Sequence, residues 1–122
     1  MIVVDDMILA IVDDLMFTSK IKTAASRLGV AVAFARSSEE ALVEMRTEPP
    51  ALVILDLNSR RGDPLATVAS MKRDPALASI RTIGFVSHVQ ADLIDAAREA
   101  GVDDVLPRSA FTARLPEILR RA

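Results

Sequence analysis

Residues 51–57 read Ala51-Leu52-Val53-Ile54-Leu55-Asp56-Leu57. The apolar part of this run, rich in branched side chains, has the length of a strand buried on both faces, and a lone carboxylate, Asp56, stands near its end. Working outward, similar runs recur at 8–12, 30–34, 80–86 and 102–106. Each gap between them carries helical spacing. In the first gap the apolar residues are Phe17, Ile21, Ala24, Ala25 and Leu28, with Gly29 as a stop. In the second, Ser37 with Glu40 three residues on forms a capping box ahead of Ala41, Leu42 and Met45, and Pro49-Pro50 lies beyond the end. In the third, Asp63 is the expected N-cap and Pro64 the first helical residue, with Leu65, Val68 and Ala69 inward. The fourth helix is expected over about 89–100, with Leu93, Ala96, Ala97 and Ala100 inward and Gly101 after its end. Phe111, Leu115, Ile118 and Leu119 mark the last. Pro116 is expected near its first turn, which would leave that helix short or frayed at its start.

Five strands alternating with five helices imply a doubly wound α/β fold: one parallel sheet, right-handed crossovers and helices on both faces. The pattern reads as a single domain over 1–122, with 1–7 as an N-terminal extension and no effector domain. No linker, repeat or low-complexity stretch interrupts it.

Composition narrows the function. Apolar residues make up 51% of the 122 residues, enough for a sizeable core, yet there is no Trp, no Tyr and no Cys. The aromatic interleaving of single-stranded nucleic-acid platforms is missing, and so are disulfides and thiolate metal sites. A net charge of −2, with both signs dispersed, speaks against direct nucleic-acid or anionic-membrane partners. The apolar N-terminus is broken by Asp5, Asp6, Asp13 and Asp14, so it reads neither as a signal peptide nor as a membrane span; a cytoplasmic protein is the default.

In open α/β sheets ligands bind beyond the carboxyl ends of the strands, where the strand order reverses. At those ends stand Asp13 and Asp14, Asp56, Ser87 followed by His88, and Arg108. Clustered carboxylates repel and call for a cation; hard oxygen ligands suit Mg²⁺, which also binds phosphate oxygens. An ionised Asp56 is then a nucleophile for a phosphoryl group, and a hydroxyl and a cation can hold the transferred oxygens. The blander alternative is a set of strand-end acids that are solvated or cap helices. Likewise Ser87 is a helix cap on the plain reading, Arg108 a surface charge, His88 an exposed loop residue, and Arg60 and Arg61 a solvated loop.

These residues also carry a family resemblance over nearly the full length. Ile8-Leu9-Ala10-Ile11-Val12-Asp13-Asp14 resembles the first strand and acidic pair of the receiver domains of two-component response regulators. Leu52-Val53-Ile54-Leu55-Asp56 resembles their phosphoacceptor strand. Ser87 falls where they have Thr or Ser, and Gly101-Val102-Asp103-Asp104-Val105-Leu106-Pro107 is similar to the fifth strand of their transcription-regulator branch. The resemblance implies a flavodoxin-like sheet of order 2-1-3-4-5 and phosphorylation of Asp56, with Ser87 and Arg108 assisting. It implies Mg²⁺ held by Asp14, Asp56 and the backbone carbonyl of Asn58, with Asp13 acting through a metal-bound water. A histidine kinase or histidine phosphotransfer protein would be the donor and another protein the downstream target. Asp103-Asp104 resembles the acidic pair with which such domains bridge to the last helix of a second copy, with Arg114 as the candidate partner, implying at most a weak homodimer.

The departures concern the readout. The family's Lys is Arg108 here, and the Pro after it is Ser109, so a cis bond there would be a non-proline one costing about 3 kcal/mol. The usual Met-Pro after the acceptor is Ser59-Arg60, the Gly opening the third helix is Pro64, and the aromatic switch position is Val105. A stand-alone phosphorylatable switch or relay is therefore the first expectation. A pseudo-receiver, an unphosphorylated interaction scaffold, is the alternative. A phosphatase of the haloacid-dehalogenase kind would need an Asp where Asn58 stands, and a flavodoxin-like cofactor binder would not place acids after its first strand.

Overall fold

The computed structural model describes residues 7–87 and 90–121. The elements run β1 (Ile8–Ile11), α1 (Leu15–Leu28), β2 (Val32–Ala35), α2 (Ser38–Thr47), β3 (Leu52–Asp56), α3 (Pro64–Arg73), β4 (Arg81–Val86), α4 (Ala91–Ala100), β5 (Asp104–Pro107) and α5 (Arg108–Arg120). The strands form one parallel sheet in the order β2-β1-β3-β4-β5, the doubly wound flavodoxin-like arrangement expected.

Alternate residues of each strand feed two separate cores. Leu9, Ile11, Val53 and Leu55 point to the side covered by α2, α3 and α4, where they meet Met45, Val68, Met71 and Ala97. Ile8, Ala10, Ile54 and Phe85 point to the side covered by α1 and α5, where they meet Phe17, Ile21, Phe111 and Leu115. Fully burying side chains of this size contributes roughly 1.5–3 kcal/mol each, which is what holds the helices on the sheet.

Two strands, β2 and β5, begin two residues later than their apolar runs, for one reason. Gly29 and Gly101 both adopt left-handed backbone at the ends of α1 and α4. The residue after each then donates back into the helix, Val30 N–H to the Ala25 carbonyl and Val102 N–H to the Ala97 carbonyl. Both apolar residues are thus spent on closing a helix, and pairing starts at Val32 and Asp104 instead of 30 and 102.

Three local expectations change. Asp63 stands at the N-cap position of α3, but its side chain makes no capping bond, and its backbone is left-handed at φ 37°. The carbonyl of Asp63 is used instead, accepting from Thr67 N–H and the Thr67 hydroxyl. Pro116 lies inside α5, not in its first turn. The helix begins directly at Arg108, and Phe111, Leu115 and Leu119, all buried, hold it on the sheet while the exposed Pro116 removes one solvent-side hydrogen bond. α4 begins at Ala91; position 89 lies outside the described residues, as do His88, Asp5 and Asp6. Met7 precedes β1, its carbonyl accepting from Ala51 N–H just ahead of β3. The Ser37 cap is present, its hydroxyl accepting from Glu40 N–H at 3.1 Å.

Candidate functional site

Asp56 is the last residue of β3 and is 8% exposed. One carboxylate oxygen, Oδ1, accepts from Asn58 N–H at 3.0 Å. Burial pushes its proton affinity above the ordinary carboxylate range. The Asn58 hydrogen bond and the charge of Arg108 oppose that shift, while the charges of Asp13 and Asp14 add to it. An ionised Asp56 is therefore a destabilised anion, set among acids whose repulsion a cation would offset.

Its neighbours are each anchored. Asp14 caps α1, its Oδ1 accepting from Met16 N–H at 2.9 Å and Phe17 N–H at 3.2 Å, and its Oδ2 accepting from Arg108 Nη2 at 3.1 Å. The Phe17 bond first, then Arg108, hold its carboxyl below the usual range. Asp13 Oδ2 accepts from the Ser59 hydroxyl at 2.9 Å, and the same hydroxyl accepts from Gly62 N–H at 2.9 Å. Asn58 ties the two loops of the site together: its side-chain oxygen accepts from Ser87 N–H at 2.8 Å, and its amide donates to Gln90 Oε1 at 2.7 Å. Arg108 opens α5, and its guanidinium carbon lies 4.3 Å from the centre of the Phe17 ring.

The structure thus brings Asp13, Asp14, Asp56, Asn58, Ser87 and Arg108 to one end of the sheet, from β1, β3, β4 and β5. The three acids are not drawn together into one nest; among the described residues no group of three acidic or imidazole side chains is arranged to hold a metal ion. Asp13 is turned to Ser59 and Asp14 to Arg108 and the start of α1. The donor set still fits a hard divalent cation, because all its donors are oxygens and the repulsion of Asp56 by Asp13 and Asp14 is the kind a cation offsets. No peptide bond among the described residues is cis, and α5 starts directly at Arg108. Val105 is packed on the side of α4, and no ring stands there.

The family model of the response regulator receiver domain matches residues 8–120. The chain belongs to that family. This receiver is 32% identical over 93 residues to the transcriptional activator protein ExaE of Pseudomonas putida; the match covers 76% of the chain and 42% of ExaE, so the chain spans less than half of that protein's length. Its fold is shared with a phosphorylated cyanobacterial phytochrome response regulator, RcpA, at a TM-score of 0.80 and 24% identity, covering 97% of this chain and 91% of that one. It is shared equally with a Mn²⁺-bound response regulator, Rcp1, at a TM-score of 0.80 and 18% identity, covering 93% and 91%.

Several site residues escaped the sequence reading. Phe17 was legible only as core, although it carries the Arg108 stack. Ser59 and the Asn58 side chain carry no periodicity. Gly84 could have been suspected, because a glycine inside an apolar run signals close approach. A Cβ there would sit 2.9 Å from the side chain of Leu57, the residue immediately after Asp56.

Proposed function

We propose that this receiver accepts a phosphoryl group on Asp56 from a histidine kinase or histidine phosphotransfer protein and works as a switch or relay. The observation that carries this reading is the buried Asp56 carboxylate, flanked by two acids and one cation at the end of the sheet. In the transfer, a carboxylate oxygen of Asp56 attacks phosphorus, the phosphorus–nitrogen bond of the donor breaks, and the imidazole keeps the electron pair and takes up a proton. Asp13, Asp14, Asp56 and the Asn58 carbonyl would hold Mg²⁺, as the donor chemistry and the Mn²⁺-bound relative suggest. Bound there, such a cation supplies neutralisation of the phosphoryl oxygens. Ser87 and Arg108 would hold those oxygens afterwards. The receiver would catalyse only its own phosphorylation and dephosphorylation, and would act on a downstream protein. A cytoplasmic location is part of this proposal; no described helix is long and apolar enough to cross a membrane.

Intact mass after incubation with acetyl phosphate and Mg²⁺ tests the reading. One added phosphoryl group is expected, and none in Asp56→Asn. An unchanged wild-type mass favours the pseudo-receiver, a scaffold that no longer switches. One observation supports that second reading: Arg108 already neutralises Asp14.

A further inference from the structure

Arg108 is the odd member of the site, and its placement is unusually constrained. Its guanidinium reaches across the sheet edge from α5 to Asp14, a partner 94 positions away in the chain, at 3.1 Å. Its guanidinium carbon lies over the Phe17 ring, 4.3 Å from the ring centre. Phe17 is itself 3% exposed and wedged against two further rings, with centroids 4.6 Å from Phe85 and 5.8 Å from Phe111. The ring cannot swing away without disturbing that stack. A planar guanidinium gains from an aromatic face in a way that an ammonium on a flexible stem does not, so the ring favours this one orientation of Arg108.

Asp14 is also an expected ligand of the divalent cation, and the guanidinium already occupies its Oδ2. Resting on the phosphoacceptor reading, we propose that Phe17 is a positioning residue that clamps Arg108 onto Asp14, and that this clamp sets the affinity of the acidic pocket for a divalent cation. The metal must take Oδ2 from Arg108 and also tolerate a fixed positive charge beside it. The guanidinium has somewhere to go, because it borders an open groove between α1 and α5 with Lys20, Ser109 and Thr112. The site is therefore a competition between an internal cation and an external one, biased by an aromatic ring that touches neither the metal nor the acceptor.

The test is a double-mutant cycle on Mg²⁺ affinity, measured by titration calorimetry without any phosphodonor. Arg108→Ala should tighten binding by about five-fold, the scale of one partly exposed ion pair. Phe17→Leu should tighten it by roughly two- to three-fold while leaving the charge in place. In the Arg108→Ala background Phe17→Leu should change nothing, because Phe17 acts only through Arg108. Equal affinity in the wild type and Arg108→Ala, or the same Phe17→Leu effect in both backgrounds, overturns the clamp. Should Phe17→Leu fail to fold, the wild type supplies a second readout. The Arg108 Nε–H signal should carry a ring-current shift that collapses in step with Mg²⁺ saturation, and a signal unmoved at saturation overturns the proposal. Absence of Mg²⁺ binding in every variant, Arg108→Ala included, is a different result: it defeats the phosphoacceptor reading along with the clamp.

Discussion

The two faces of the sheet are built from different chemistry. Beneath α2, α3 and α4 the core is aliphatic and thioether: Leu9, Val53, Leu55, Met45, Met71 and Leu77. Beneath α1 and α5 lie all four of the chain's phenylalanines, Phe34 only partly buried, with Phe85 and Phe111 stacked at 4.8 Å. Val105, the position where receivers usually keep a moving ring, belongs to the aliphatic face. The aromatic side chains are concentrated on the opposite face, directly under the cation of the site. A branched aliphatic core offers close packing and few distinct rotamer states, whereas stacked rings offer a polarised surface on which a charge can rest. In this receiver the side-chain contacts of Arg108 thus run toward α1 and its aromatic face.

The largest difference between the faces should appear in stability. Phe111→Ala removes a fully buried ring from the aromatic stack and should cost about 3–5 kcal/mol, whereas Val105→Ala, on a partly buried strand, should cost about 1 kcal/mol or less. Urea unfolding of both variants checks this, and comparable losses would erase the distinction. Within the site the two adjacent acids should also separate. Asp14 caps α1 and pairs with Arg108, so Asp14→Ala should cost roughly 0.5–2 kcal/mol and weaken Mg²⁺ binding strongly. Asp13 has one hydrogen bond, from Ser59, and its removal should cost less on both counts. Thermal melts and metal titrations giving equal effects would remove that asymmetry.

The pH dependence isolates Asp56. Burial raises its folded-state pKa above the unfolded value, so the ionised carboxylate lowers native stability at neutral pH, and that loss is recovered as pH falls through the folded pKa toward the unfolded one. In chelator, Asp56→Asn should therefore melt at a higher temperature than the wild type at pH 7, with the gap closing on acidification. A constant gap from neutral to acidic pH would mean that burial does not destabilise the Asp56 anion. The smallest effect concerns self-association. Asp104 lies 3.8 Å from Arg81, and Arg114 lies 4.0 Å from Glu117, all exposed. Asp103 is occupied within its own chain, accepting from Thr82 N–H at 2.9 Å. Exposed pairs are worth about 0–1 kcal/mol, so any dimer through this face should be weak and vanish with salt in sedimentation runs.

Much of this protein is written locally. The run ending in Asp56, the acids after the first strand, the glycine stops at Gly29 and Gly101 and the Ser37 cap all depend on neighbours a few residues away, and so they can be read from spacing. Strand starts were missed at 30 and 102 because an apolar residue looks the same whether it closes a helix or enters a sheet. Pro116 was misplaced because propensity argues against a helix that burial of Phe111, Leu115 and Leu119 enforces. The partners of the site residues were beyond local reading altogether. Nothing near Arg108 in the chain indicates Asp14 or Phe17, nothing near Asp13 indicates Ser59, and nothing near Asn58 indicates Ser87 or Gln90. Which acid is paired with a cation, which is held by a hydroxyl and which ring supports the cation follow from folding the strand ends onto one edge, because side-chain contacts there join segments that share no local pattern.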